Sequence, residues 1–422
     1  MAKRAVLDDA HLRAIPLRTL QDRLVELLDN EDDNSIADAV DLLISQAAYH
    51  GASDLHLEPW QEFLSLRYRI DGMLQQVALL PREHQARLIA RVKVLADLVV
   101  YRKDVPQDGR IDLERTSCGR PMRVSVIPTV KGENTVLRLL GDTQALYTLE
   151  TLGFQPGVTE QLRQTMARAQ GTFLLTGPSS SGKTTTIYTL LREMMRMQQN
   201  ATNIVTIEDP VECTLDKIAQ IQVNPHVDFT FANALRNILR QDPEVIMVGE
   251  IRDMDTARMA VQAGLTGHFV ISTIHSGTAA GVFTRLLDMG IEPFLVASAV
   301  TGVLAQRLVR LNCPRCAAAY TPDPVALAAF DLPEDGHYVR GAGCDTCLGF
   351  GYRGRAAIGE LLPVDTEFSE FILTRPTTAQ VHARAVGQHM ETLVEDGLDK
   401  VRKGITTVEE LFRVAPLATS ML

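Results

Sequence analysis

No stretch of this 422-residue sequence is long and apolar enough to cross a bilayer. The longest candidate, residues 294–305, falls well short of the roughly 20 apolar residues that a spanning helix needs. The start, Met1-Ala2-Lys3-Arg4, runs into polar and acidic residues rather than an apolar h-region, so no secretory signal is expected. Basic charge is also in deficit: 42 Lys and Arg face 52 Asp and Glu, a formal net charge of −10. That sign argues against a protein that coats nucleic acid, although it leaves room for a local basic patch. There is no internal repeat and no low-complexity tract. Cysteines are few: of six, four fall in two Cys-x-x-Cys pairs, while Cys118 and Cys213 stand alone. A disulfide scaffold does not suit a chain this long without a secretory signal, and a metal site is the better reading. A soluble, cytoplasmic protein of two or three domains is expected, with any membrane association indirect.

What is present changes character along the chain. Residues 1–33 are charged and read as a leader helix followed by a linker. Apolar spacing at Ile36, Val40, Leu43 and Ala47 is helical. Asp54-Leu55-His56-Leu57-Glu58 alternates as a half-buried strand does, and 63–70 alternates again, with Leu64, Leu66, Tyr68 and Ile70 on one face. Asp71-Gly72 then signals a hairpin turn. A helix at about 83–98 and strands at about 120–127 and 134–140 complete a small α+β domain with an antiparallel sheet, over 34–141. A polar linker, 142–156, follows. From 157 to 305 strands alternate with helices, the signature of a parallel α/β sheet. Residues 306–355 hold the paired cysteines among many Pro and Gly, and 356–422 read as helical, the last helix opening with a capping box at Thr407-Val408-Glu409-Glu410.

The sharpest motif lies early in the α/β part. The apolar run Gly-Thr-Phe-Leu-Leu-Thr, 171–176, fits a buried strand. It leads into Gly177, Pro178, Ser179, Ser180, Ser181, Gly182, Lys183, Thr184 and Thr185, and then into a helix-compatible segment. Strand, glycine loop and helix in this order make a phosphate-binding loop. The glycines let the backbone wrap the phosphates, and amides at the helix start point at the anion. Lys183 would neutralise the β- and γ-phosphates and Thr184 would ligate Mg²⁺. Pro178 has no N–H, so the cradle must come from later amides.

Acids to hold Mg²⁺ and position water follow two strand-like runs. Ile204-Val205-Thr206-Ile207 leads to Glu208-Asp209-Pro210-Val211-Glu212. Val245-Ile246-Met247-Val248 leads to Gly249-Glu250-Ile251-Arg252-Asp253. The second is a Walker B strand with Gly249 where an Asp is usual. Glu250 must therefore act on the metal or through water, and Glu208 becomes a candidate for polarising the attacking water. Arg236 and Arg240, four apart, would share a helix face and either pair with surface acids or aim at phosphates or a neighbouring subunit. His268 and His275 flank the strand 269–273; they are either satisfied structural residues or sensors of the γ-phosphate.

Cys313-Pro-Arg-Cys316 and Cys344-Asp-Thr-Cys347 are separated by 27 residues. Two intervening residues let both thiolates of a pair reach one tetrahedral ion, so a closed, structural four-cysteine zinc site is expected.

Taken together, these motifs resemble the type II secretion and type IV pilus assembly ATPases over about 36–415. The match runs through Ala52 to Pro59, Arg67-Tyr68-Arg69-Ile70-Asp71-Gly72 and the phosphate loop. It continues through an "Asp box" at Ile207 to Glu212, Leu239 to Pro243, Val248 to Asp253, and a "His box" from Ala263 to His275. The resemblance implies a RecA-like P-loop NTPase domain preceded by a smaller PAS-like domain that swings over it. It also implies a homo-hexamer at the cytoplasmic face of the inner membrane, working with a membrane platform and cytoplasmic adaptor proteins, with ATP and Mg²⁺ as the substrate complex. Arginines of the small domain reach the phosphates in that family, and Arg123 and Arg138 match them. Arg138, in the otherwise apolar strand 135–140, is expected to be buried and to need an anionic partner, whether phosphate or a plain salt bridge. Gly249 follows the family's own pattern. The tetracysteine pattern is similar to that of secretion and pilus-extension members rather than retraction or conjugation ATPases. Only about 35 residues precede the small domain, where the fullest secretion members carry a further docking domain. Three readings compete: an ATPase driving pseudopilus or pilus assembly, including DNA-uptake pili; a RecA-like nucleic-acid motor, which the acidic balance disfavours; and a nucleotide-gated assembly protein, which Glu208 and Glu250 disfavour.

Overall fold

A computed structural model describes residues 15–30, 32, 34–141, 147–198, 201–224 and 227–415. The chain divides into two units, 1–144 and 145–422. Residues 1–14 of the expected leader and 142–146 of the expected linker lie outside the described residues.

In the first unit, α1 (Leu17–Asp29) buries Leu17, Leu20, Leu24 and Leu28, one stripe at helical spacing. It packs on the next helix and on the sheet, so it belongs to the unit rather than leading up to it. The helix α2 (Ser35–Tyr49) follows, then β1 (Ala52–Pro59), β2 (Phe63–Ile70) and β3 (Met73–Pro81). Asp71 and Gly72 both have positive φ, 48° and 80°, the geometry a two-residue hairpin needs to match strand twist. After α3 (Gln85–Leu95) come β4 (Gln107–Ile111), β5 (Met122–Thr129) and β6 (Gly132–Leu139), in the antiparallel order β3-β2-β1-β6-β5-β4. The strand β4 is an addition to the sequence reading; its Gln-Asp-Gly-Arg-Ile carries only one buried residue, and so no apolar alternation. Tyr68 is fully buried and donates to the Leu43 carbonyl at 2.7 Å, pinning α2 to the sheet.

The second unit is wound on both faces of one sheet. It contains α4 (Pro156–Met166), β7 (Gly171–Thr176), α5 (Lys183–Met197), β8 (Ile204–Glu208), β9 (Ala219–Gln222) and α6 (Phe231–Ile238). Next come β10 (Val245–Ile251), α7 (Met254–Leu265), β11 (Phe269–Ile274), α8 (Ala279–Asp288), α9 (Pro293–Ala299) and β12 (Val300–Asn312). The order is β15-β12-β7-β11-β10-β8-β9, where β15 (Tyr352–Pro363) is the antiparallel edge and the rest run parallel. Alternation divides the core in two. Leu174, Ile246, Val248 and Val270 face one cluster, while Phe173, Leu175, Met247 and Ile271 face the other. Strands buried on both faces read as continuous apolar runs, which is why β7 is so legible. No described helix is long and apolar enough to cross a membrane; 294–305 splits between α9 and β12.

Two expectations need correction here. The strand β12 continues to Asn312, and β15 carries the sheet on to Pro363, so residues 306–312 and 352–363 pair across the sheet edge instead of forming an insert and a helical tail. Between them lies the cysteine excursion, with β13 (Ala317–Ala319), α10 (Pro324–Ala328) and β14 (Val339–Gly341). The helices α11 (Thr366–Ile372), α12 (Thr378–Gly387), α13 (Leu393–Arg402) and α14 (Val408–Val414) follow. At α14, Thr407 caps the Glu410 amide, but the Glu410 carboxylate does not complete the box. It turns to Arg310 and Arg413 instead, because two guanidiniums outbid one amide.

Candidate active site at the C-terminal edge of the parallel sheet

The parallel register brings the ends of five strands to one edge. Thr176 of β7 pairs with Ile274 of β11 and with Ala305 of β12, and Ile207 of β8 pairs with Val248 of β10. The phosphate loop, Glu208, Gly249-Glu250, His275 and Gln306-Arg307 therefore emerge together, where open α/β sheets bind ligands. Within the loop, Gly177 (φ 150°) and Gly182 (φ 87°) are required. A Cβ on the first would stand 2.5 Å from the Gln306 carbonyl, and one on the second 2.8 Å from the Gln306 side chain. Gly182 offers no side chain to cap α5, so the amides of its first turn stay available to an anion. The Lys183 ammonium donates to the Gly177 and Pro178 carbonyls at 2.8 and 2.9 Å. Burial, and then the nearby Arg307 charge, pull its pKa below the usual lysine value, while Glu250 pushes the other way. Thr184 is exposed at the start of α5, and Ser181 is buried with an unpartnered hydroxyl.

The two glutamates have different surroundings. Glu208 is buried; one carboxylate oxygen accepts from Thr206 (2.6 Å) and Gln220 (3.0 Å), and the other accepts from the Tyr188 hydroxyl. Burial and this carboxylate raise the Tyr188 phenol far above its ordinary pKa. Glu250 is half-buried at the edge, paired with Arg252 and 3.7 Å from His275 Nε2. Asp253 is spent as the cap of α7, accepting from the Thr256 amide at 2.8 Å.

The histidines separate. His275 follows the C-terminal end of β11, but His268 precedes Phe269 at the opposite edge, where Nδ1 lies 3.1 Å from the Ala263 carbonyl. The structure does not bring His268 to the phosphate loop. Arg236 and Arg240 do not share a helix face either, since α6 ends at Ile238. They bind Asn233 and Asn237 around that terminus.

In the first unit, Arg138 is exposed, with 64 % of its side chain accessible, so its expected burial is overturned: the apolar neighbours alternate onto the other face. Its Nε donates to Asp54 at 2.8 Å. Cross-strand register aligns Arg69, Asp54, Arg138, Arg123 and Arg110 in one row, on the face opposite Leu55 and Tyr68. The row holds four arginines and one aspartate: Asp54 pairs with Arg138 and, at 3.8 Å, with Arg69, while Arg110 pairs with Asp112 at 3.4 Å. Sequence reading missed Arg69 and Arg110, because register between strands far apart in the chain is invisible there.

The cysteine expectation acquires geometry. The sulfurs of Cys313, Cys316, Cys344 and Cys347 all lie within 4.8 Å of one another, with separations such as 3.8 Å (Cys313–Cys344) and 3.7 Å (Cys316–Cys347). A tetrahedral zinc with bonds of about 2.3 Å needs sulfurs about 3.8 Å apart. Amides of Gly343, Cys344 and Gly351 donate to Cys316 and Cys347 sulfurs, and the Cys347 amide holds the Cys344 thiol down at about 6. This donor set fits a structural zinc and leaves no open position.

The family model described as "Type II/IV secretion system protein" matches residues 29–413. The chain is 46 % identical over 399 residues to the "Type II secretion system ATPase E" of Vibrio cholerae, covering 92 % of this chain and 77 % of that one. It is 43 % identical over 384 residues to the "Type IV pilus assembly ATPase PilB" of Thermus thermophilus, covering 90 % of this chain and 43 % of that one. Among solved structures, the ATPase DotB of Legionella pneumophila aligns with a TM-score of 0.67 at 21 % identity, covering 91 % and 97 % of the two chains. The pilus retraction motor PilT with bound ADP aligns with a TM-score of 0.60 at 24 % identity, covering 90 % and 97 %. At these identities the two structures speak to the fold.

Proposed function

The chain belongs to the type II/IV secretion system protein family, and from that premise we propose that its ATP hydrolysis powers assembly of a secretion pseudopilus or a type IV pilus. The observation that carries this reading is the meeting of the phosphate loop, Glu250 and His275 at one sheet edge. Gly177 to Thr185 would cradle the phosphates, Lys183 would neutralise the β- and γ-oxygens, and Thr184 with Glu250 would hold Mg²⁺ directly or through water. Glu250 also suits the water-activating role. A general base needs a free lone pair within reach of water, and Glu208 has its carboxylate engaged by three donors. Glu208 then serves to fix β8 against α5 through Tyr188. His275, beside Glu250, would report the γ-phosphate; His268 would act elsewhere. The arginine row with Arg123 and Arg138 is suited to meeting polyphosphate, because four guanidiniums line up on one sheet face, two of them on the single carboxylate of Asp54. A homo-hexamer at the cytoplasmic face of the inner membrane, docked on platform and adaptor proteins, is the working form that fits such relatives, with zinc bracing the cysteine excursion.

Steady-state ATPase assays on wild-type protein and Lys183→Ala test the reading. Turnover should vanish in the variant while its melting temperature stays put; undiminished hydrolysis would end the proposal. Scoring secreted enzymes and surface pili side by side in a deletion strain separates the two assemblies. DNA-stimulated hydrolysis would point to a nucleic-acid motor instead.

A further inference from the structure

Beside the phosphate loop sits a buried cation that the reading above does not use. Arg307, on β12 two residues past the pairing of Ala305 with Thr176, is 8 % exposed. Its guanidinium is forked: Nη1 donates to the Gln306 carbonyl at 2.9 Å and Nη2 to the Gly277 carbonyl at 2.5 Å. Among the described residues no carboxylate lies within ion-pair distance of it. Glu360 attracts it from farther off, but one Glu360 oxygen already accepts the Ala279 amide at 2.7 Å. An isolated buried cation is expensive, and proteins generally pair it with an anion. Burial accordingly holds the Arg307 pKa below the usual arginine value.

The surroundings say which anion would suit it. A Cβ on Gly177 would stand 3.2 Å from Arg307 Nη1, so the guanidinium packs directly on the first residue of the phosphate loop. The Gly277 carbonyl belongs to the loop 275–278, which begins at His275 and is otherwise tied to β7 by the Thr176 hydroxyl and the Ser276 amide, 2.9 Å apart. Next to it, Gln306 donates to the Ser181 carbonyl and accepts from Thr186, both at 2.8 Å. Gln306 thus ties β12 to the phosphate loop and to the start of α5, while Arg307 packs on Gly177 and holds the segment that carries His275.

We propose that Arg307 is a positioning residue for ATP turnover, clamping the His275 loop to β12 beside the phosphate loop while its unpaired charge favours the triphosphate. The inference rests on the ATPase reading. Its two roles separate chemically. Favouring the nucleotide needs only a positive charge, which a lysine supplies. Clamping needs a planar fork that reaches two carbonyls at once, which a lysine cannot reproduce.

The test compares wild type, Arg307→Lys and Arg307→Met for kcat, KM and binding of a fluorescent ATP analogue, with melting temperature as the folding control. Arg307→Met should bind the nucleotide about tenfold or more weaker and lose kcat as well. Arg307→Lys should recover most of the binding but leave kcat at least tenfold low. Wild-type kcat and binding in Arg307→Met would overturn the proposal. Full recovery of both by Arg307→Lys would overturn the clamp. If Arg307→Met does not fold, the kcat of Arg307→Lys alone decides between support and refutation. Lys183→Ala runs in parallel: a wild-type protein without Lys183-dependent hydrolysis fails the ATPase reading, whereas a positive control with inert Arg307 variants fails only this inference.

Discussion

The phosphate loop and the cysteine excursion are both glycine-bearing turns lined with inward N–H groups, yet they are built to opposite ends. In the cysteine excursion the inward amides are spent on sulfur, and the four sulfurs close on one another. At the phosphate loop the cations have no carboxylate within ion-pair distance among the described residues: Lys183 is half-buried and Arg307 buried, both are held by carbonyls, and the helix start has no side-chain cap. A cluster that satisfies itself holds structure, whereas one that leaves charge unanswered waits for a ligand.

The sharpest way to break this contrast is to neutralise an acid at the open site. Glu250→Gln should lower kcat by on the order of 10²–10⁴ while leaving nucleotide affinity within a few-fold, as read by steady-state kinetics and analogue binding. Glu208→Gln should act on stability instead, by about 1–3 kcal/mol, because it disturbs a buried three-donor network. A larger kcat loss in Glu208→Gln at unchanged melting temperature would move the water-activating role to Glu208.

At the closed site the expected effect is large locally and small functionally. If the cysteine cluster holds zinc, wild type should carry one equivalent by metal analysis, and a Cys344→Ser, Cys347→Ser chain should lack it and become open to proteolysis within 313–351. Zinc sites supply roughly 10 kcal/mol or more of local folding free energy. ATP-analogue affinity should stay within about twofold. An affinity collapse would show that the two regions are coupled and the contrast is misdrawn.

The arginine row gives a smaller, two-sided prediction. Arg138→Ala should cost about 1–3 kcal/mol of stability, because Arg138 is exposed but its partner Asp54 is buried and keeps Ser53 and, at 3.8 Å, Arg69. If the row meets phosphate, turnover falls tenfold or more; equal turnover would reduce the row to a surface ladder.

The smallest effect concerns acid. Burial pushes the Glu410 carboxyl up, but bonds from Arg413 and Arg310 outweigh it and hold the pKa below its ordinary 4.5. A depressed folded pKa contributes stability above the unfolded value, and that contribution is lost as pH falls through the folded one. Chemical unfolding of Glu410→Gln should therefore differ most from wild type above pH 4.5, and the two curves should converge in stronger acid.

Much of the site was legible because phosphate binding is local: strand, loop and helix start are contiguous, so Gly177 to Thr185 carries its own context. The cysteine pairs are legible for the same reason, since two intervening residues fix their geometry. What failed to read was pairing over distance. The strand β15 joins β12 from some 50 residues away, and its Arg-Gly-Arg opening hides a strand. The polar pair Gln306-Arg307, interrupting an otherwise apolar run, was the available sign of a second site-lining strand.

By itself, then, the sequence determined that this chain handles a nucleotide triphosphate and carries two cysteine pairs spaced to suit a metal, because both depend on residues adjacent along the backbone. Only the tertiary structure decided which glutamate keeps a free lone pair, which histidine shares the edge with Lys183, and which arginine lacks a counter-charge. Those properties depend on burial and on strand register, and both arise only when segments distant in sequence pack together.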